Sequence, residues 1–168
     1  MNIDPFLIWL ESTALSQWIV GSESMFAFPG ILAIHAIGMG FAVGICLALD
    51  LRILGVAPGV RIAEMRRFVP IVWTAFWINA ISGLLLLIGY PTKALTNPVF
   101  YLKLMLIGVG LWLFSRIGRR VFNDTAGDDR AQSPIVQRLA IVSLVCWVSA
   151  ITAGRFLAYT YHRLTALG

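Results

Sequence analysis

Four stretches of this chain are nearly unbroken apolar runs, and its polar positions fall between the runs or along one side of them. The first, PGILAIHAIGMGFAVGICLALD from Pro29 to Asp50, carries no charge before Asp50 and a single ionisable group within it, His35. At about 1.5 Å rise per residue, such a run crosses a hydrocarbon core of about 30 Å as one helix. Comparable runs cover about 68–90, 98–117 and 134–161, the last two opening at Asn97-Pro98 and Ser133-Pro134. Asn and Ser are good N-caps, and proline fits the first helical turn. The pattern therefore predicts an all-α fold, a four-helix transmembrane bundle in one domain.

The N-terminal stretch reads differently. Residues about 4–20 mix Phe6, Trp9, Leu10, Trp18 and Ile19 with Glu11, Ser12, Ser16 and Gln17, too polar a mixture to span. Asp4-Pro5 is a helix-start signal, and the segment is expected to be an amphipathic helix lying in the membrane interface, anchored by its tryptophans. Pro91 to Thr96 is expected to be a tight turn, and Asn123 to Ser133 a polar loop.

Helical periodicity assigns faces. At about 100° per residue, His35, Met39, Ala42 and Cys46 share one side of the first span, and Ala33, Ala36, Gly40 and Gly44 lie roughly opposite. Small residues four apart admit a neighbouring helix closely, so Gly40 and Gly44 are expected on the packing face. On the fourth span Thr152, Arg155, Tyr159 and His162 form a polar stripe. Charge facing lipid is costly, so the stripe is expected to face the bundle or a cavity.

Composition supports the class: 59% of the 168 residues are hydrophobic and 12% charged, far from the balance of a soluble domain. The net charge of +5 does not point to nucleic acid, because the basic residues fall where membrane topology puts them. Nine of the 13 lie in two connections: Arg52, Arg61, Arg66 and Arg67 in the first, Arg116, Arg119, Arg120, Arg130 and Arg138 in the third. Lys93, Lys103, Arg155 and Arg163 fall on the other side. This bias predicts that the first and third connections are cytoplasmic and both termini are outside. Cys46 and Cys146 sit inside apolar runs with no CxxC or CxxH, which reads as two buried structural thiols.

On that topology His35, Lys103, Arg155 and Tyr159 all lie in the outer half of the bundle, with Asn79 and Ser82 near the middle of the second span. Two readings of these groups stand side by side. In one, His35 hydrogen-bonds to a neighbouring helix and the cations reach for the interface. In the other, His35 ligates the iron of haem b, or hydrogen-bonds a quinone, with Lys103, Arg155 and Tyr159 completing the site. Neither Met39 nor Met105 is well placed for a second axial position opposite His35.

Several segments carry a resemblance: WLESTALSQWI (Trp9–Ile19), DLRILG (Asp50–Gly55), NPVFYLKL (Asn97–Leu104) and AGRFLAY (Ala153–Tyr159). In order and spacing they resemble a bacterial family of small four-helix membrane proteins of unknown function. A bacterial inner membrane is the location this implies. More distantly, a first-helix histidine and a YLK-type opening to a later helix resemble the CopD-like copper-resistance proteins and the HemJ-type protoporphyrinogen oxidases. The HemJ resemblance implies haem b at the position of His35, and that type has a second histidine after its lysine motif. Lys103 to Arg120 holds none. Three functions follow as expectations: a haem- or quinone-linked membrane redox protein, a non-catalytic membrane subunit or assembly factor within a larger complex, and a small transporter or copper-handling protein.

Overall fold

The computed structural model describes residues 5–122 and 133–166, with side chains up to Leu157. Its elements are α1 (Pro5–Glu11), α2 (Ala14–Gly21), α3 (Phe28–Ile53), α4 (Ile62–Met65), a 3-10 turn over Arg66–Phe68, α5 (Val69–Gly89), α6 (Pro91–Leu95), α7 (Pro98–Val121) and α8 (Pro134–Ala166). Four helical stretches, Phe28–Ile53, Ile62–Gly89, Pro98–Val121 and Pro134–Leu157, are long and apolar enough to cross a membrane. Large apolar side chains such as Ile37, Phe41, Trp77 and Trp112 stay exposed on their outer faces. Lipid is the solvent that tolerates such a surface, and an intact helix satisfies its own backbone there. The protein is an all-α transmembrane bundle.

The long helices begin and end much as the apolar pattern predicts. Asn97 caps α7, its side chain accepting the Val99 N–H at 3.0 Å, and Pro98 follows in the first turn. α7 runs past the expected end near residue 117, because Ile117 and Val121 continue its buried side while Arg116, Arg119 and Arg120 occupy its polar side. The expected turn over Pro91 to Thr96 is instead a short helix, α6. The N-terminal segment is also two helices, not one. Ser12 and Thr13 donate back to the Trp9 and Leu10 carbonyls, both at 2.7 Å, and Thr13 then accepts the Ser16 N–H as a new N-cap. Such local side-chain bonds compete with the helix and break it. Asp4, expected to start this segment, lies outside the described residues, as do 123–132 of the polar loop.

Packing joins the spans in a row. α3 lies along α5, α7 along α8, and α3 along α8; no seam of comparable extent joins α5 to α7. The α5 and α7 sides of the two hairpins therefore flank a groove floored by α3 and α8. Val43, Cys46, Leu49, Ile53, Phe114, Ile117, Val136, Ala140 and Trp147 belong to the apolar cluster that binds the two hairpins together. Around this core, α2 closes on α5 where Ile19 fills the space beside Gly89, and Thr92 donates to Glu11 at 2.7 Å.

The packing face of α3 is not the one expected. Gly40 and Gly44 are exposed, and a Cβ at either would meet nothing within 4 Å. The close approach is made by Gly38, where a Cβ would lie 3.1 Å from the Ala75 carbonyl oxygen and 3.2 Å from the Asn79 nitrogen. Gly38 shares its side of the helix with His35, Ala42 and Cys46, so polar and packing functions fall on one face. A second close seam joins α7 to α8, where the Trp147 indole covers Gly110.

Both cysteines are buried and unpaired, as expected. The Cys146 thiol donates to the Leu106 carbonyl oxygen at 3.0 Å.

Candidate functional site

His35 sits on the eighth residue of α3, facing α5. Its Nδ1 is 3.0 Å from the Asn79 backbone carbonyl and 3.2 Å from the Ser82 hydroxyl. The Ser82 proton is already given to the Ile78 carbonyl at 2.7 Å, so the Ser82 oxygen can only accept from the ring. A carbonyl can only accept as well. Asn79 Nδ2 also lies 3.3 Å from Nδ1, but the closer approach of the Asn79 carbonyl, at 3.0 Å, is favourable only with a proton on Nδ1; that assignment leaves the Nε2 lone pair without a partner among the described residues. Asn79 closes the loop by donating its amide to the His35 backbone carbonyl at 2.7 Å.

This clamp depends on the local sequence of α5. Asn79 and Ser82 are three apart and share a face, and Gly83 removes the side chain that would otherwise occupy the imidazole's space. A Cβ at Gly83 would lie 3.0 Å from His35 Cε1. The imidazole is thus held at Nδ1 by hydrogen bonds, in space that Gly83 leaves open.

Lys103, on the sixth residue of α7, comes from the other hairpin. Its stem runs past Gly154 of α8, at 3.6 Å from where a Cβ would be, and it lies within electrostatic reach of His35. Among the described residues neither a carboxylate nor a carbonyl pairs with its ammonium. The small cavity beside it, about 20 Å³, is lined by Asn79, Met39, Phe76 and Trp147 among others. That is room for about one water molecule. A ligand headgroup larger than that enters only where α5 and α7 can part, on the side where no tight seam holds them.

Of the four residues singled out from sequence, His35 and Lys103 are brought together. Arg155 is exposed on α8 and does not line the cavity. Thr152, from the same stripe, is also exposed and bonds back to the Val148 carbonyl at 2.8 Å. The inward positions of α8 at this depth are Ala150, Ala153 and Gly154. The Tyr159 and His162 side chains lie outside the described residues.

The other half of the bundle holds a further polar group, at the end of the first apolar run. Asp50 is 2% exposed, beside Ser143 of α8, and its Oδ2 has no hydrogen-bond partner among the described residues. Ser143 Oγ and Trp147 Nε1 are likewise buried without partners among the described residues. The signal was available in the sequence: Asp50 continues the His35–Ala42–Cys46 face by periodicity. Arg52 bonds locally, to the Val60 and Pro58 carbonyls.

As a fit for haem b, His35 Nε2 is the nitrogen that would hold the iron, oriented by the Nδ1 bond as ligating histidines usually are. A macrocycle would require the hairpins to separate well beyond the present cavity. Among the described residues no three His, Cys, Asp or Glu side chains group as a metal site. Comparison with protein-family models, curated proteins and solved structures gives no match for this chain.

Proposed function

We propose that this integral membrane protein binds a lipid-soluble ligand with a carbonyl headgroup, of the quinone class, between α5 and α7. The observation that carries the reading is Lys103: a half-buried ammonium in an apolar bundle with no acceptor among the described residues, beside an imidazole whose Nε2 has no partner among them either. Intramembrane cations without partners are costly and mark ligand sites. A quinone carbonyl oxygen would accept from the Lys103 ammonium, and a reduced ring hydroxyl would donate to His35 Nε2. The clamp from Asn79 and Ser82 holds the imidazole for that role. The tail would leave through the α5/α7 gap, whose walls are apolar. Protein carrying a photoreactive short-chain quinone, illuminated and then digested, should show label on α5 or α7 peptides; label confined to α1 and α2 would contradict the site.

Two other readings keep specific support. Haem b at His35 rests on the oriented imidazole, and a Soret band in the purified protein would establish it. A purely structural cluster, in a subunit of a larger membrane complex, rests on the full use of His35 Nδ1 by α5.

The orientation belongs to the same proposal: the arginine-rich connections face the cytoplasm of a bacterial inner membrane, and both termini face outward. A cysteine placed at Thr92 should react with an impermeant thiol reagent in intact cells, and one at Gly127 should not. The reverse labelling would turn the site to the cytoplasmic leaflet.

A further inference from the structure

A second and larger opening lies at the arginine-rich end of the same groove, about 370 Å³ in volume. Its walls come from both hairpins: Val69, Pro70 and Trp73 of α5 face Phe114, Gly118 and Phe122 of the α7 side. Arg66 and Arg119 stand at its rim, and none of its lining residues is acidic. These two guanidiniums differ from their neighbours. Arg67 lies over the Phe68 ring at 5.0 Å and Arg116 over the Trp112 ring at 5.3 Å, whereas Arg66 and Arg119 have no ion pair or ring contact among the described residues. Gly118 keeps the groove open, its Cβ position meeting only the Phe122 ring at 3.3 Å.

We propose that this opening is a binding site for an anionic phospholipid of the bilayer. The rim offers two planar donors to one phosphate, the recognition at which arginine excels. Below the rim the walls are apolar and aromatic, which suits the glycerol and the first part of an acyl chain. Basic pockets between helices at the membrane surface recognise anionic headgroups in this way. The volume falls in the range of built ligand sites and not of packing defects. Charge complementarity selects the occupant: a zwitterionic lipid would bring a choline or amine against two guanidiniums that have no ion pair among the described residues. The site does not rest on the quinone-class reading, since it uses none of that site's residues.

The test uses detergent-purified full-length protein and native mass spectrometry with phosphatidylglycerol or phosphatidylcholine of the same chain length. Phosphatidylglycerol should be retained preferentially, and the double variant Arg66→Gln/Arg119→Gln should lose about thirtyfold of that preference. Arg67→Gln, the same loss of charge per site on a ring-bound side chain, should keep it. A fluorescence arm separates site from surface: phosphatidylglycerol with brominated acyl chains should quench emission that is absent in Trp73→Phe. Equal retention of the two lipids, an unchanged preference in the double variant, or equal competition by inorganic phosphate would overturn the proposal.

Discussion

Gly38→Leu is expected to unfold the α3/α5 seam, lowering stability by about 3 kcal/mol, the upper end of what overpacking usually costs. The clash is with backbone, not with a side chain that can rotate away. A Cβ alone would sit 3.1 Å from the Ala75 carbonyl oxygen and 3.3 Å from the Asn79 Cβ. The two helices would have to separate, and Asn79 would carry its carbonyl away from His35 Nδ1. Gly44→Leu, only six residues further along the same helix, should be nearly neutral because nothing lies within 4 Å of its Cβ position. Equilibrium unfolding in detergent, followed by helical circular dichroism, checks both. Equal losses from the two variants would mean that the close approach is made elsewhere.

Gly110→Leu is expected to be of similar severity at the α7/α8 seam. A Cβ there would come within 2.8 Å of Trp147 Cε2 and 2.9 Å of its Cζ2. The indole cannot swing outward, because Trp147 is buried in the cluster that joins the two hairpins. Displacing it would also disturb the cavity wall beside Lys103. The same unfolding experiment should show a loss of about 2–3 kcal/mol, and Gly108→Leu, at an open position, should show little. A stable Gly110→Leu protein with unchanged near-ultraviolet dichroism would contradict the tight seam.

The spans were legible because uncharged length is nearly sufficient to define them. Which face of a span meets another helix was not. Gly38 and Gly40 are two residues apart and so point about 200° from each other, giving two rows of small residues on α3. Periodicity cannot choose between such rows, since both are compatible with close packing. The choice lay in the partner: Ala75 and Asn79 on α5 complement Gly38, a fact about two helices and not one. For the same reason His35 could be placed on a face but not given its bonds to Asn79 and Ser82. Arg155, expected to face the bundle or a cavity, is exposed instead. A long guanidinium side chain in the outer part of a span can extend along the helix toward the interface, so its position in an apolar run does not force it inward. Lys103 differs in that its stem lies along Gly154 of the adjoining helix and the residue is half-buried.

The site between the hairpins can be tested by titrating the purified protein with a short-chain benzoquinone and following tryptophan emission. Trp147 lines the cavity beside Lys103 and should report occupancy. Wild-type protein should bind saturably. Lys103→Met should weaken binding by about tenfold to a hundredfold, the worth of one hydrogen bond from a charged donor. Lys93→Gln, which removes the same charge near the same end of the bundle, should leave the affinity within about twofold. Saturable binding that is indifferent to Lys103→Met, or no saturable binding at all, would contradict a ligand site at Lys103 and leave the polar cluster as a clamp between helices.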